Sequence, residues 1–262
     1  MRTVVSLLVP AAVVYLGLCA YMYAAQRSLI YFPTPETHHS SAQADRLESH
    51  GESLKIWNVP RPGPRALIYF GGNAEDVAGN VESFSAAFPD HALYLVNYRG
   101  YGGSTGRPSE PGLNADALTV YDHVRTRHSD ISVVGRSLGS GVAVYLASER
   151  PVDRLVLVTA YDSLVNVART HFRFLPVRTL LRDRFDSASR APEVKGPVLM
   201  VIAGDDEIIP RARSEALAAA FPPEQVRVEV IRGVMHNSLD LSPEYLGSVR
   251  AFLTETPSAP RG

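Results

Sequence analysis

Residues 131–147 read ISVVGRSLGSGVAVYLA. Ile131 to Val134 is a short, β-branched, apolar run of strand length, and Leu138 to Ala147 is a run of small and apolar residues of helix length. Between them, Gly135 to Gly139 has the form G-x-S-x-G. A strand that turns directly into a helix, with glycines flanking a serine, lets the turn lie close to the sheet and lifts the serine hydroxyl at the sheet's edge. The same pattern recurs at Gly102-Gly103-Ser104-Thr105-Gly106, but that stretch runs into Gly106-Arg107-Pro108 and then Pro111, so no helix is expected to start directly from that serine. Ser137 is therefore the candidate nucleophile, and Ser104 is a serine in a glycine-rich loop.

Working outward from this turn, the chain alternates between two periodicities. Ala66 to Phe70, Ala92 to Val96, Leu155 to Val158, Val198 to Ile202 and Val226 to Ile231 are short and mostly continuous in apolar character, as strands covered on both faces are. Helical segments are expected at Glu75 to Phe88, Asn114 to His128, Leu138 to Glu149, Arg211 to Phe221 and Pro243 to Leu253. The alternation predicts a doubly wound, mainly parallel α/β sheet, opened by an antiparallel pair within Ala42 to Val59. Ligands of such sheets sit beyond the carboxyl ends of the strands.

A serine hydroxyl needs a base to take its proton, and the base needs a third group to orient it. Both are expected just past later strands, in the order acid, then histidine. Gly204-Asp205-Asp206-Glu207-Ile208-Ile209-Pro210 follows one strand, and Gly233-Val234-Met235-His236-Asn237 follows the next. His236 is the only histidine beyond residue 171. Asp206, which begins a D-x-x-x-P run, is the preferred acid, with Asp205 as the alternative.

Val4 to Ala25 is 22 residues without a charge, bracketed by Arg2 and Arg27. As a helix it would reach about 33 Å, enough to cross a bilayer core, and Tyr15, Tyr21, Tyr23, Tyr31 and Phe32 gather toward one end as interfacial aromatics do. An uncleaved anchor over residues 1–26 is expected. The alternative, a cleaved signal that leaves a secreted protein, has poor cleavage sites, with Tyr23 three residues before Gln26. Weighing Arg2 and the amino terminus against Arg27 weakly favours a main domain outside the cytoplasm. Residues 27–255 form that domain, and residues 256–262 a tail.

These residues together resemble the α/β-hydrolase superfamily, and most of all its small membrane-anchored branch of acyl esterases, thioesterases and serine aminopeptidase-like hydrolases. The resemblance runs through Leu29 to Pro33, Gly72-Asn73-Ala74, Asn97 to Gly102, Gly135 to Gly139, Asp206 to Pro210 and His236-Asn237. It implies an α/β-hydrolase fold with a short helical cap at about residues 161–190. It also implies an oxyanion hole made by the backbone N–H groups of Leu138 and Asn73. Gly71 stands where a histidine often precedes the Gly-Asn pair, so the order of that loop is open, and Gly71-Gly72 could equally be a flexible turn.

The cap segment mixes Phe172, Phe174, Leu175, Leu180, Leu181 and Phe185 with six arginines. Its plainer reading is an amphipathic helix with a solvated face; the other is a basic, apolar-lined surface toward lipid headgroups or an acidic acyl substrate. Asp162 and His171 within it are read as structural. A net charge of −1 with no block of one sign gives no nucleic-acid footprint. The single cysteine, Cys19, cannot form an intramolecular disulfide, and His38-His39 has no accompanying ligand cluster. The expected chemistry is hydrolysis of an acyl ester or thioester through an acyl-enzyme, with no cofactor and no metal. Peptide hydrolysis and a silent membrane-tethered binding protein are the alternatives.

Overall fold

A computed structural model describes residues 2–39 and 41–255; the tail expected at 256–262 lies outside the described residues. The eight strands are β1 (Gln43–Ser49), β2 (Glu52–Val59), β3 (Arg65–Phe70), β4 (Ala92–Val96), β5 (Asp130–Arg136), β6 (Arg154–Val158), β7 (Val198–Ala203) and β8 (Val226–Ile231). They form one sheet in the order β1-β2-β4-β3-β5-β6-β7-β8. β1 pairs antiparallel with β2 and β2 with β4, and from β4 to β8 every pairing is parallel. The chain reverses its direction of winding about β3, so the centre of the sheet has a switch point where its carboxyl ends open a crevice.

The helices are α1 (Arg2–Ile30), α2 (Val81–Ala87), α3 (Glu110–Arg125), α4 (Leu138–Glu149), α5 (Leu164–His171), α6 (Val177–Leu180), α7 (Ser187–Arg190), α8 (Arg211–Ala218) and α9 (Pro243–Thr254). The continuous apolar strands are buried on both sides. In β3, Ala66, Ile68 and Phe70 join a core shared with α3 and α4, while Leu67 and Tyr69 join a second core shared with α2 and α9. Alternate side chains point to opposite faces, so a run without polar breaks means both faces are covered. β8, VRVEVI, is the exception: as an edge strand it alternates, and Val228 remains exposed.

Several helix limits differ from the sequence expectation, among them the end of α3 at Arg125 rather than His128 and of α8 at Ala218 rather than Phe221. α3 begins at Glu110, four residues before Asn114, because the Ser109 hydroxyl caps it by accepting from the Gly112 N–H and Pro111 occupies the first turn, where its missing N–H costs nothing. The segment expected as a helix from Glu75 begins instead with a 3-10 turn at Val77–Asn80, capped by Asp76, and α2 is only Val81–Ala87. α1 continues unbroken to Ile30, past the expected boundary at residue 26. Its last turn is held by the rest of the protein. Arg27 makes two 3.0 Å bonds to Asp183, the Tyr31 hydroxyl donates to the same carboxylate at 2.9 Å, and Gln26 bonds the Leu180 carbonyl and the Arg182 N–H.

Candidate active site

The turn from β5 into α4 places Ser137 at φ 49°, ψ −115°, a conformation that L-residues rarely adopt. The glycines on either side are required by contact. A Cβ at Gly135 would sit 2.5 Å from the Gly139 carbonyl oxygen and from the Ala143 Cβ, and one at Gly139 would fall on the Phe70 carbonyl oxygen. Ser137 is held by its N–H donating to the Val158 carbonyl at 2.9 Å, and its own carbonyl accepts from the Ser140 N–H and hydroxyl. This is a strained, over-determined residue at the end of a central strand, a setting associated with function.

The loops after β7 and β8 bring the two predicted partners to it. His236 Nε2 lies 2.9 Å from Ser137 Oγ, and His236 Nδ1 lies 2.8 and 3.0 Å from the two carboxylate oxygens of Asp206. Both partner side chains are almost fully buried, at 5% and 2% exposure, so water does not compete for these bonds. Asp206 Oδ1 also accepts from the Ile208 and Ile209 N–H groups at 2.9 and 2.7 Å, which fixes the carboxylate's rotation. Asp205 is exposed, and its main-chain N–H donates to the Val234 carbonyl at 3.0 Å. Of the adjacent pair, Asp206 is the one that reaches His236.

Ser104, the competing serine, is a turn residue. Its hydroxyl donates to the Asn97 carbonyl at 2.9 Å and accepts from the Lys55 N–H at 2.8 Å. Asp162 is buried and binds Asn166 and Arg213, and His171 Nε2 lies 3.1 Å from the Ile208 carbonyl oxygen. Among the described residues no group of three or more His, Cys, Asp or Glu could hold a metal ion. His39 instead lies edge-on to Trp57.

The loop after β3 runs beside the serine, since a Cβ at Gly72 would sit 3.6 Å from the Ser137 Cβ. Among the described residues neither the Leu138 nor the Asn73 N–H donates to another protein group. The loop is held by hydrogen bonds without a histidine at position 71. The Gly71 carbonyl accepts from the Tyr98 hydroxyl at 2.7 Å, and the Asn73 side chain accepts from the Tyr101 hydroxyl and the Phe32 N–H while donating to the Ile30 carbonyl. The Gly71-Gly72 turn is thus tied at several points.

Sequence reasoning missed the residue at the centre of this bracing. Glu75 accepts from the Gly72 N–H and the Tyr69 hydroxyl at 2.6 Å each and from the Asn80 amide at 2.7 Å, and it pairs with Arg136 at 3.3 Å. It therefore links the glycine loop to the residue before Ser137. Burial first, and then the Glu75 charge, push the Tyr69 and Tyr98 phenols well above their ordinary range, so both remain donors. The available signal was a carboxylate three residues after a loop glycine, the spacing at which a side chain reaches back to a free N–H. Glu207 was also missed; it accepts from the His236 N–H at 3.1 Å.

Known proteins resemble this chain to different degrees. No family model matches the chain. An uncharacterized protein of Mycobacterium tuberculosis is 38% identical over 267 residues, covering 94% of this chain and 93% of that protein. The alpha/beta hydrolase domain-containing protein aho-3 of Caenorhabditis elegans is 31% identical over 77% of this chain and 62% of its own length. Among solved structures, the Pyrococcus furiosus esterase Pf2001 superposes with a TM-score of 0.67 at 17% identity, over 85% of this chain and 98% of that one. At that identity the likeness is one of fold.

Proposed function

The chain belongs to the α/β-hydrolase superfamily, and from that premise we propose that it is a serine hydrolase cleaving a carboxylic ester or thioester through an acyl-enzyme. The observation that carries this reading is the unbroken series of contacts from Asp206 through His236 to Ser137. Ser137 Oγ attacks the acyl carbon as His236 Nε2 takes its proton, and Asp206 holds Nδ1–H and stabilises the imidazolium that forms. The carbonyl electrons move to oxygen, where the Leu138 and Asn73 N–H groups donate to the alkoxide. Donors of this kind are worth roughly 2.7–4 kcal/mol each because they are aimed before the charge develops.

Collapse of the tetrahedral adduct breaks the bond to the alcohol or thiol, which leaves with the proton from His236. Water then enters, gives its proton to His236, and attacks the acyl-serine. The acid is released and Ser137 regains its proton. A membrane position for this chemistry is part of the same proposal. α1 has the length and hydropathy to span a bilayer, and Gln26, Arg27 and Tyr31 make its end part of the folded domain, which favours an anchor that is retained.

The test is labelling of the full-length protein with a fluorophosphonate probe. Labelling is expected to disappear in Ser137→Ala and to persist in Ser104→Ala. Labelling that survives Ser137→Ala refutes the assignment of the nucleophile.

A further inference from the structure

Between α1 and the cap the structure has an apolar cleft of about 350 Å³, a size within the roughly 300–1,000 Å³ of small-molecule sites. One wall is the α1 face carrying Met22, Leu29 and Ile30; the other is built by Ala168, Phe172 and Leu180. The α1 residues recur at the spacing that places them on one side of a helix. One lining residue is tied to the glycine loop beside Ser137, since the Ile30 carbonyl accepts the bond from the Asn73 side chain.

On the proposed anchor, the α1 wall of the cleft continues into the segment that would cross the bilayer. Away from the cap, the apolar α1 side chains Leu8, Val9, Val13, Val14 and Leu16 are exposed. The cap loop follows this helix downward, with Tyr15 donating to the Phe174 carbonyl at 2.9 Å and the Phe174 ring 92% exposed. If the core begins at Arg2, a span of about 30 Å at 1.5 Å per residue ends near residue 22. The cleft straddles the boundary where lipid ester groups sit.

Charge agrees with this placement. Arg169, Arg173, Arg178, Arg182 and Arg184 are all exposed, while the one acid of that stretch, Asp183, is buried against Arg27. Arg182 lies over the Tyr23 ring at 5.3 Å, on the helix turn where the interfacial aromatics gather. Resting on the serine-hydrolase reading, we infer that the cleft receives the acyl chain of a bilayer phospholipid laterally. The cap arginines hold the phosphate and the chain's carbonyl is presented to Ser137.

The test uses the full chain in phosphatidylglycerol nanodiscs, with a phosphatidylglycerol probe bearing a diazirine near the end of one acyl chain. Adducts in the Ser137→Ala protein are expected on residues 168–181 and to be lost when Ala168→Trp or Leu29→Trp fills the cleft. Adducts confined to α1, or insensitive to both substitutions, overturn the inference whether or not the protein is a hydrolase. Turnover gives a second reading, using p-nitrophenyl esters kept monomeric. kcat/KM should rise about fourfold per added methylene, the equivalent of ~0.8 kcal/mol each, until the chain outgrows the cleft, and Ala168→Trp should flatten that series. Short esters cleaved with no dependence on chain length would refute the cleft and leave the serine-hydrolase reading standing; absence of fluorophosphonate labelling would do the reverse. A probe attached to protein-linked acyl groups but not to lipid would replace the proposed occupant.

Discussion

Asp206→Asn is the substitution whose effect follows most directly from the geometry. The two shapes are nearly identical, so packing is conserved. What changes is which atom faces His236. Asp206 Oδ1 receives the Ile208 and Ile209 N–H groups at 2.9 and 2.7 Å, so an asparagine must keep its oxygen there and turn its NH2 toward Nδ1, where Oδ2 had been at 2.8 Å. A donor facing Nδ1 forces the other imidazole tautomer, in which Nε2 carries the proton and cannot accept one from Ser137. The corresponding change in serine proteases costs about 10⁴ in kcat, or about 5 kcal/mol of barrier at roughly 1.36 kcal/mol per tenfold. The assay is kcat on a short p-nitrophenyl ester, beside thermal unfolding to show that the fold persists. Asp205→Asn should remain within about threefold of the parent, as surface substitutions outside such networks do. An Asp206→Asn protein within tenfold of the parent, or an Asp205→Asn protein that is inactive, refutes the reasoning.

Other outcomes follow from the same structure. Glu75→Gln keeps one carbonyl for four donors, so the glycine loop should loosen and kcat should fall about ten- to a hundredfold with KM nearly constant, below the roughly 10²–10³ seen when an oxyanion donor is removed outright; a change confined to KM would contradict this. Asp183→Asn breaks the pairing with Arg27, and with Arg27 41% exposed the loss should be about 2 kcal/mol, read as a Tm lower by about 4–8 °C. An unchanged Tm would show that the end of α1 is not held by this contact. His91 is buried, and burial followed by the Arg65 charge depresses its pKa. The unfolded chain therefore binds the extra proton first as acid is added, and stability present above about pH 6.5 is lost below it. His91→Gln should reduce the slope of stability between pH 7 and 5 in denaturant titrations, and an identical slope would rule out His91 as its source.

How far the sequence could be read depended on how local each signal was. β3 through β7 were legible because strands buried on both faces are uninterrupted apolar runs, and Ser137 because the strand, turn and helix around it are contiguous. Asp206 and His236 followed because each lies just beyond a strand end, which the fold constrains. The bracing of the glycine loop was not legible. Asn73 meets Ile30 across 43 residues and Tyr101 across 28, and Tyr98 meets Gly71 across 27, and no periodicity links such positions. Glu75 misled in a further way, because a glutamate before an apolar run suggests the first turn of a helix, while here its side chain is committed to Gly72, Tyr69 and Asn80. The end of α1 was also underestimated. Charge ends a membrane segment in composition, but Arg27 and Gln26 continue the helix because the cap supplies their partners.

The backbone of Ser137 sets reactivity against foldability. At φ 49°, ψ −115° any side chain there carries a conformational penalty of about 1–3 kcal/mol, and only glycine escapes it. Ser137→Gly should therefore yield a protein that is inert and yet harder to unfold. Ser137 shares a positive φ with His50, Ala74, Thr159 and Phe185, but it alone is the proposed nucleophile, so on that reading selection for stability alone would erode the site from its centre outward.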